Sequence, residues 1–169
     1  MRYPILAVEM LVAASLAAPA EAGTLPAPSD TVLLTVTGAI GITNDDGAAK
    51  LDRAMLEAMP ATTIRTTTIW TDGVQEFTGV SLHDFVAAME IDGDATLHTI
   101  ALNDYAVDIP ASDAVEGGPV IAYENNGEPM SVRDKGPLWV VYPYNDTAAY
   151  RSEVIYSRSI WQLDRFHVR

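Results

Sequence analysis

The sequence predicts a single α+β domain that combines mixed β-sheets with short helices. Its 169 residues, 49% of them hydrophobic, are enough to build one buried core. Runs with the composition and alternation of strands outnumber the segments with helical spacing, and the helical segments are short. No internal repeat divides the chain. Together these observations favour the α+β class with mixed sheets.

Residues 1–22 are predicted to be a cleaved secretory signal peptide. A basic residue precedes an apolar stretch that closes on an A-x-A cleavage pattern at residues 20–22. The stretch is shorter than the roughly 20 apolar residues of a spanning helix and contains Glu9, so an uncleaved amphipathic anchor is the alternative. We therefore expect an exported, periplasmic protein with a proline-rich leader at 23–31 and a folded domain at 32–169.

The first predicted elements are a strand at 32–36 and a helix at 50–59. The strand is a short β-rich run that ends near Gly38, and the turn at 44–47 can cap the helix that follows. Pro60 marks the end of this helix. Helical spacing predicts that its buried face consists of Leu51, Met55, Leu56 and Met59.

A β-hairpin and a second helix are predicted next. Residues 62–70 are dense in β-branched side chains, an Asp-Gly pair supplies the turn, and residues 74–77 return. Ser81 lies three residues before Asp84, a spacing typical of a helix N-terminus. The buried face of this helix is predicted to consist of Leu82, Phe85, Val86 and Met89.

The second half of the domain is predicted to be mostly strands, at 96–102, 106–109, 120–124, 138–142 and 163–168. An Asn-Asn-Gly sequence after the third of these strands is a hairpin signal. The run at 138–142 is almost continuously apolar, so we expect it at the centre of a sheet and buried on both faces. Residues 150–156 fit a helix or a strand equally well.

Charge and cysteine content exclude several function classes. Ten Lys and Arg against 23 Asp and Glu give a net charge of −13, which argues against nucleic acids and anionic membrane surfaces as partners. The absence of cysteine excludes disulfides, thiolate metal sites, iron–sulfur clusters and thiol catalysis. Three scattered histidines do not predict a metal site. Because six of the ten basic residues lie in 133–169, an anionic ligand is expected there.

Motifs for hydrolysis or phosphate binding are absent or weak in this sequence. There is no G-x-S-x-G nucleophile elbow, and His83 and His98 are expected to be structural. Paired acids lie in predicted turns, where they usually shape the backbone. Arg133 and Lys135 flank a turn that leads into a Gly-Pro pair, an arrangement that can bind an anion, although exposed loop charges are more often only solvated.

The order and spacing of five segments resemble a known family, the oxidoreductase molybdopterin-binding domain with the sulfite-oxidase fold. The resemblance covers roughly residues 32–168 and implies the fold and cofactor class of that family. The five segments of this chain that carry the resemblance are the strand–turn–helix at 77–85, the strand pair at 104–110, the hairpin at 122–129, the Gly-Pro-Leu strand at 136–138 and the closing element at 161–168.

Two departures from that family concern the cofactor. Catalytic members hold molybdenum through a cysteine that corresponds here to about 65–68, where this chain has threonines. A neutral hydroxyl is a poor substitute for a thiolate at this metal. Trp161 falls about where many members have a lysine, and an indole stacks on a flat heterocycle but does not neutralise a phosphate. The resemblance therefore predicts a pterin pocket without metal chemistry.

The candidate pterin-binding residues offer aromatic faces, hydrogen-bonding groups and positive charges near the expected cleft. Trp139 and Tyr123 alternate with core positions and are expected to be core, whereas Trp70 and Trp161 fit the core and the site equally well. The predicted set is Arg65, Thr67, Trp70, Asn103, Tyr105, Asp108, Arg133, Lys135, Tyr142, Tyr144, Arg158 and Trp161.

The function predicted from the sequence is a periplasmic pterin-binding protein without molybdenum or another metal. Size, export and the missing metal ligand suggest that it is the ligand-sensing partner of the periplasmic region of a membrane signalling protein. One alternative is a molybdopterin-dependent oxidoreductase that holds its cofactor without a thiolate. The other is a structural or interaction module with no ligand.

Overall fold

A computed structural model describes residues 24–169, and these fold into two five-stranded sheets with three short α-helices. The predicted signal peptide at 1–22 lies outside the described residues. Within the described part, no helix is long and apolar enough to cross a membrane. The helices are α1 (Arg53–Glu57), α2 (Leu82–Ala88) and α3 (Glu153–Arg158). The strands are β1 (Val32–Gly38), β2 (Ala49–Asp52), β3 (Ala61–Thr67), β4 (Val74–Ser81), β5 (Thr96–Ala101), β6 (Ala106–Pro110), β7 (Val120–Asn125), β8 (Glu128–Pro129), β9 (Trp139–Val141) and β10 (Leu163–Val168).

The first sheet has the strand order β2-β1-β10-β5-β6. Strands β1 and β10 run parallel, so the first and last strands of the domain lie side by side, while the other neighbours are antiparallel. The predicted closing strand is confirmed, and it occupies the middle of this sheet. Phe166 of β10 is fully buried and meets Phe85 of α2, with ring centroids 5.6 Å apart, which packs the helix against the sheet.

The second sheet has the order β3-β4-β7-β8, with β9 also paired to β7. The prediction that 138–142 forms a buried strand is confirmed, but its central position is wrong. Strand β9 has one strand neighbour, and its other edge is covered by the segment before β10, because Val140 N donates to Ile160 O and Leu163 N to Leu138 O. The apolar run therefore reflects burial under an irregular segment, which composition does not distinguish from burial between strands.

Helix α1 is shorter than predicted because its first residues belong to a strand. Residues 49–52 pair with β1, and Asp52 then caps the helix by accepting a hydrogen bond from Met55 N at 2.9 Å. The same buried carboxylate accepts hydrogen bonds from Ser29 N at 2.6 Å and Asp30 N at 3.1 Å. Asp52 therefore ends β2, starts α1 and holds the chain that precedes β1.

Helix α2 begins where predicted. Ser81 is its N-cap and accepts a hydrogen bond from Asp84 N at 3.0 Å.

Just upstream of α2, Gly79 lies against β7 at a β-bulge, where a Cβ atom would come within 2.0 Å of Ile121 O. Any larger residue at this position would push β4 away from β7, so glycine is required by the close approach of the two backbones.

Candidate functional site

A cleft of about 310 Å³ opens between the turn after β3, the β5–β6 loop and the segment that joins α3 to β10. Its walls are mostly aromatic, with a few hydroxyl, amide and backbone groups. It is lined by Trp70, Ala101, Asn103, Tyr105, Tyr156, Ser157, Ser159, Ile160 and Trp161. An apolar concavity with a small number of polar groups is the usual form of a small-molecule site.

Trp70 is the centre of the aromatic wall. Its ring lies 5.4 Å from Trp161, 5.8 Å from Tyr156 and 5.9 Å from Trp139, measured between centroids, and all three contacts are edge to face. The turn that carries it is held by Thr68, whose hydroxyl accepts a hydrogen bond from Trp70 N at 3.0 Å. Such contacts hold the indole in one orientation before any ligand arrives.

The wall is supported from behind by buried hydrogen bonds to Ser159, just after α3. Trp139 Nε1 donates to Ser159 O at 3.1 Å, and the Tyr144 hydroxyl donates to Ser159 Oγ. Ser159 Oγ in turn donates to Ile155 O at 2.8 Å. Burial raises the pKa of Tyr144 to about 12, so this phenol stays a neutral hydrogen-bond donor at physiological pH.

The β5–β6 loop forms the exposed side of the cleft. Tyr105 is 50% exposed, and its hydroxyl lies 3.5 Å from Ser157 O across the cleft. Asn103 Oδ1 accepts a hydrogen bond from Tyr105 N at 3.1 Å, which leaves the amide NH2 group of Asn103 as a donor. This side therefore offers a planar ring and a polar amide close together.

A partly buried ion pair joins Arg158, at the end of α3, to Asp113. Arg158 Nη1 is 2.9 Å from Asp113 Oδ2, and the hydroxyl of Tyr142 donates to the same oxygen at 2.7 Å. Burial, with the neighbouring Asp113 carboxylate, raises the pKa of Tyr142 well above its ordinary value. The positive charge of Arg158 is therefore balanced within the fold.

The structure brings together one third of the predicted site residues. Trp70, Asn103, Tyr105 and Trp161 line the cleft, so the side chains that fitted core and site equally well belong to both. Three further predicted residues support the cleft without lining it: Tyr142, Tyr144 and Arg158.

The other predicted residues lie elsewhere. Arg65 lines a separate groove of about 290 Å³ beside Gln75 and Glu76. Thr67 donates a hydrogen bond to Asn145 Oδ1 at 2.7 Å.

Asp108 lies on the outer face of the first sheet, where His98 and Arg169 lower its pKa. Arg133 is exposed on a short 3-10 turn (Val132–Asp134), and Lys135 Nζ lies 5.7 Å from the ring centroid of Trp139.

Sequence reasoning missed most of the wall formed by the end of α3 and the residues just after it. Tyr156, Ser157, Ser159 and Ile160 line the cleft, and so does Ala101 at the end of β5. The signal in the sequence was the ambiguous segment at 150–156, which is a helix from Glu153 onward. Its N-cap is Ser152, whose hydroxyl accepts a hydrogen bond from Ile155 N at 3.4 Å.

The donor atoms in this chain do not fit molybdenum held by a thiolate. The sequence contains no cysteine, and the described residues contain no group of three or more His, Cys, Asp or Glu side chains placed to hold a metal ion. In the segment that corresponds to the metal-ligating cysteine of catalytic members, the Thr66 hydroxyl is buried and accepts a hydrogen bond from Asn145 N at 3.2 Å. These threonine hydroxyls act in hydrogen bonds of the fold.

Comparison with known proteins gives the family. Residues 47–152 match the model of the oxidoreductase molybdopterin binding domain. Among solved structures, the chain is similar to the sulfane dehydrogenase SoxCD from Paracoccus pantotrophus, with a TM-score of 0.57 and 15% sequence identity. That match covers 80% of this chain but 37% of the SoxCD chain, and no curated protein sequence matches. The chain therefore belongs to the oxidoreductase molybdopterin-binding domain family and has the fold of its sulfite-oxidase-type members.

Proposed function

We propose that this protein binds a pterin in the aromatic cleft, without thiolate-bound molybdenum. The observation that carries the proposal is the cleft itself, in which two indoles and two phenols surround about 310 Å³ in a chain of a molybdopterin-binding family. A bicyclic pterin is planar, so it stacks on aromatic side chains through its faces. The cleft supplies such faces on both the buried and the exposed side.

Polar groups in the cleft match the edge of a pterin. The pyrimidine edge of this heterocycle has both donors and acceptors, and these need fixed partners when water is excluded. Asn103 provides an amide donor, and Ser157 provides a backbone carbonyl that lies 3.5 Å from the Tyr105 hydroxyl. Few groups of this kind are enough to orient a ligand that is held mainly by stacking.

The oxidoreductase alternative would have to hold its metal without the ligand that catalytic members of the family use. Metal ligation in the cysteine-dependent members needs a thiolate, and this sequence has none. Thr67, nearest to the predicted ligand position, donates its hydroxyl proton to Asn145. Binding without metal-dependent turnover is therefore the function that the residues support best.

The periplasmic location and a membrane signalling partner remain part of the proposal. The A-x-A pattern at residues 20–22 supports export. A small binding domain whose ligand undergoes no reaction is suited to report the presence of that ligand to another protein. Co-purification with a membrane receptor, in the presence and absence of pterin, would test this role.

The experiment that tests pterin binding has two parts. Native mass spectrometry of the protein purified from its own cells should reveal a bound pterin and no molybdenum. Isothermal titration with 6-hydroxymethylpterin should then show binding that is weakened by Trp161→Ala and unchanged by Arg65→Ala, which alters the separate groove. Stoichiometric molybdenum, or no pterin binding in either measurement, would overturn the proposal.

A further inference from the structure

The absence of charged side chains from the cleft walls limits the kind of pterin that can bind there. None of the nine lining residues is Asp, Glu, Lys, Arg or His. The polar side-chain groups of these residues are neutral, namely hydroxyls, one amide and two indole N–H groups. A ligand in this cleft therefore meets dipoles and aromatic faces but no side chain that is ionised at neutral pH.

Three of the six basic residues in 133–169 form ion pairs with acidic residues. Arg158 is paired with Asp113, Arg165 with Asp104, and Arg169 with Asp108. The ammonium group of Lys135 lies over the ring of Trp139. This ring is buried behind the cleft. None of the six basic residues of 133–169 lines the cleft.

A phosphate group in this cleft would lack the partners that it needs. Phosphates are bound by Arg or Lys, or by backbone N–H groups at the amino end of a helix. Here the cleft lies at the carboxyl end of α3, where backbone carbonyls are the exposed groups, and the chain carries a net charge of −13. Removing phosphate from water without a cation is strongly unfavourable.

We infer that the cleft selects pterins without a phosphate group and rejects phosphorylated ones, including molybdopterin itself. This inference rests on the proposed pterin binding and adds the chemical class of the ligand. The indole of Trp161 adds stacking area to the cleft and carries no charge that would hold a phosphate.

The test compares 6-hydroxymethylpterin with its diphosphate, which have the same ring. Titration of the full mature protein should give at least about tenfold weaker binding of the diphosphate. The affinity of the uncharged ligand should not change between low and high salt, because no ion pair forms. Lys135→Gln and Arg133→Gln should leave the weak affinity for the diphosphate unchanged, since neither residue lines the cleft.

A gain-of-function variant tests the cause directly. Ser157→Arg places a cation at an exposed position of the cleft, and it should raise the affinity for the diphosphate by about tenfold at low salt. Equal or tighter binding of the diphosphate by the natural protein, particularly if Lys135→Gln abolishes it, would overturn the inference while leaving pterin binding intact. Binding of neither compound would overturn pterin binding itself, and the inference with it.

Discussion

Trp70 and Trp161 meet edge to face, with ring centroids 5.4 Å apart and planes inclined by 75°. Trp70 belongs to the turn between β3 and β4, whereas Trp161 belongs to the segment between α3 and β10. Trp161 also forms a β-bridge with Trp139 at the covered edge of β9. The aromatic wall therefore joins two parts of the chain that are distant in sequence, and it forms only when both sheets are assembled.

Trp161→Ala should weaken the binding of 6-hydroxymethylpterin by about 1–3 kcal/mol, the range for aromatic stacking on heterocyclic bases. The physical reason is the loss of one planar wall of the cleft. Isothermal titration measures the change, and a thermal melt establishes that the variant is folded. Trp161→Phe is the matched control and should recover most of the affinity. An unchanged affinity in Trp161→Ala would contradict the stacking role.

Tyr105→Ala should also reduce pterin affinity, but with little effect on the melting temperature. Tyr105 is 50% exposed, so its ring contributes more to the cleft than to the core. Tyr105→Phe should bind like the natural protein, because the hydroxyl is 3.5 Å from Ser157 O and that hydrogen bond is long. If Tyr105→Phe bound as weakly as Tyr105→Ala, the hydroxyl rather than the ring would be the binding group.

Local signals in the sequence were sufficient for elements that depend on their own residues. The Ser81 cap and the hairpin turn at Asn126-Gly127 are confirmed, the latter with φ values of 53° and 78°. Each requires a particular side chain or backbone conformation at a fixed spacing. The family resemblance placed these pieces in order, and the α+β fold is confirmed.

Long-range pairing could not be read from the same patterns. The apolar run at 138–142 predicts burial but does not indicate whether a strand or an irregular segment covers it. Residues 50–52 have helical spacing, yet their pairing with β1 and the buried Asp52 carboxylate place them in a strand. In both cases the segment is placed by a partner that is distant in sequence, which the local pattern of residues does not reveal.

The candidate site was predicted best where residue type alone limits the role. Trp70 and Trp161 are large planar groups beside polar neighbours, and both line the cleft. The charged residues were predicted less well, because a charge in sequence does not reveal its partner. Arg158 is the clearest case: it lies near the cleft but is balanced by Asp113.

Arg158→Met should destabilise the protein by about 1.5–3 kcal/mol, the usual cost of losing a hydrogen bond to a charged group. It leaves Asp113 partly buried, with the Tyr142 hydroxyl as its remaining partner. Tyr142→Phe should cost less, because Asp113 keeps its pairing with the guanidinium group. Urea unfolding of both variants gives the comparison. A larger loss in Tyr142→Phe would show that the hydroxyl, not the ion pair, holds α3.

Gly79→Ala should destabilise the protein by about 1–3 kcal/mol, since overpacking strains the surrounding backbone. The added Cβ would lie 2.0 Å from Ile121 O, where no flexible side chain can move away. Gly93→Ala is the matched control, because a Cβ there meets no atom within 4 Å. It should be neutral or stabilise by up to about 1 kcal/mol through the unfolded chain. Equal melting temperatures for the two variants would contradict the close approach of β4 and β7.

Asp52 gives the fold a defined response to acid. Backbone hydrogen bonds from Met55 and Ser29 are the main cause that lowers the pKa of Asp52 below its ordinary value of 3.8. Above that value the carboxylate is ionised in the folded and unfolded states, and its hydrogen bonds stabilise the folded state in full. As the pH falls below 3.8, the unfolded chain takes up the proton first, so this stabilisation decreases. It is fully lost once the pH lies below the pKa of the folded group as well.

Asp52→Asn should therefore be less stable than the natural protein at pH 6, and the difference should shrink steadily below pH 3.8. The amide keeps one acceptor oxygen, but its NH2 group cannot accept a hydrogen bond, and it has no negative charge to strengthen the hydrogen bonds from the backbone N–H groups of Ser29 and Asp30. Urea unfolding at pH 6, 4 and 3 measures the difference. Ser29→Ala is the control: it removes only the hydroxyl hydrogen bond at 3.0 Å and should have a smaller effect. The difference in the free energy of unfolding between Asp52→Asn and the natural protein could instead stay constant across this pH range. That result would mean that the ionised carboxylate is not what holds residues 29–30 and the start of α1.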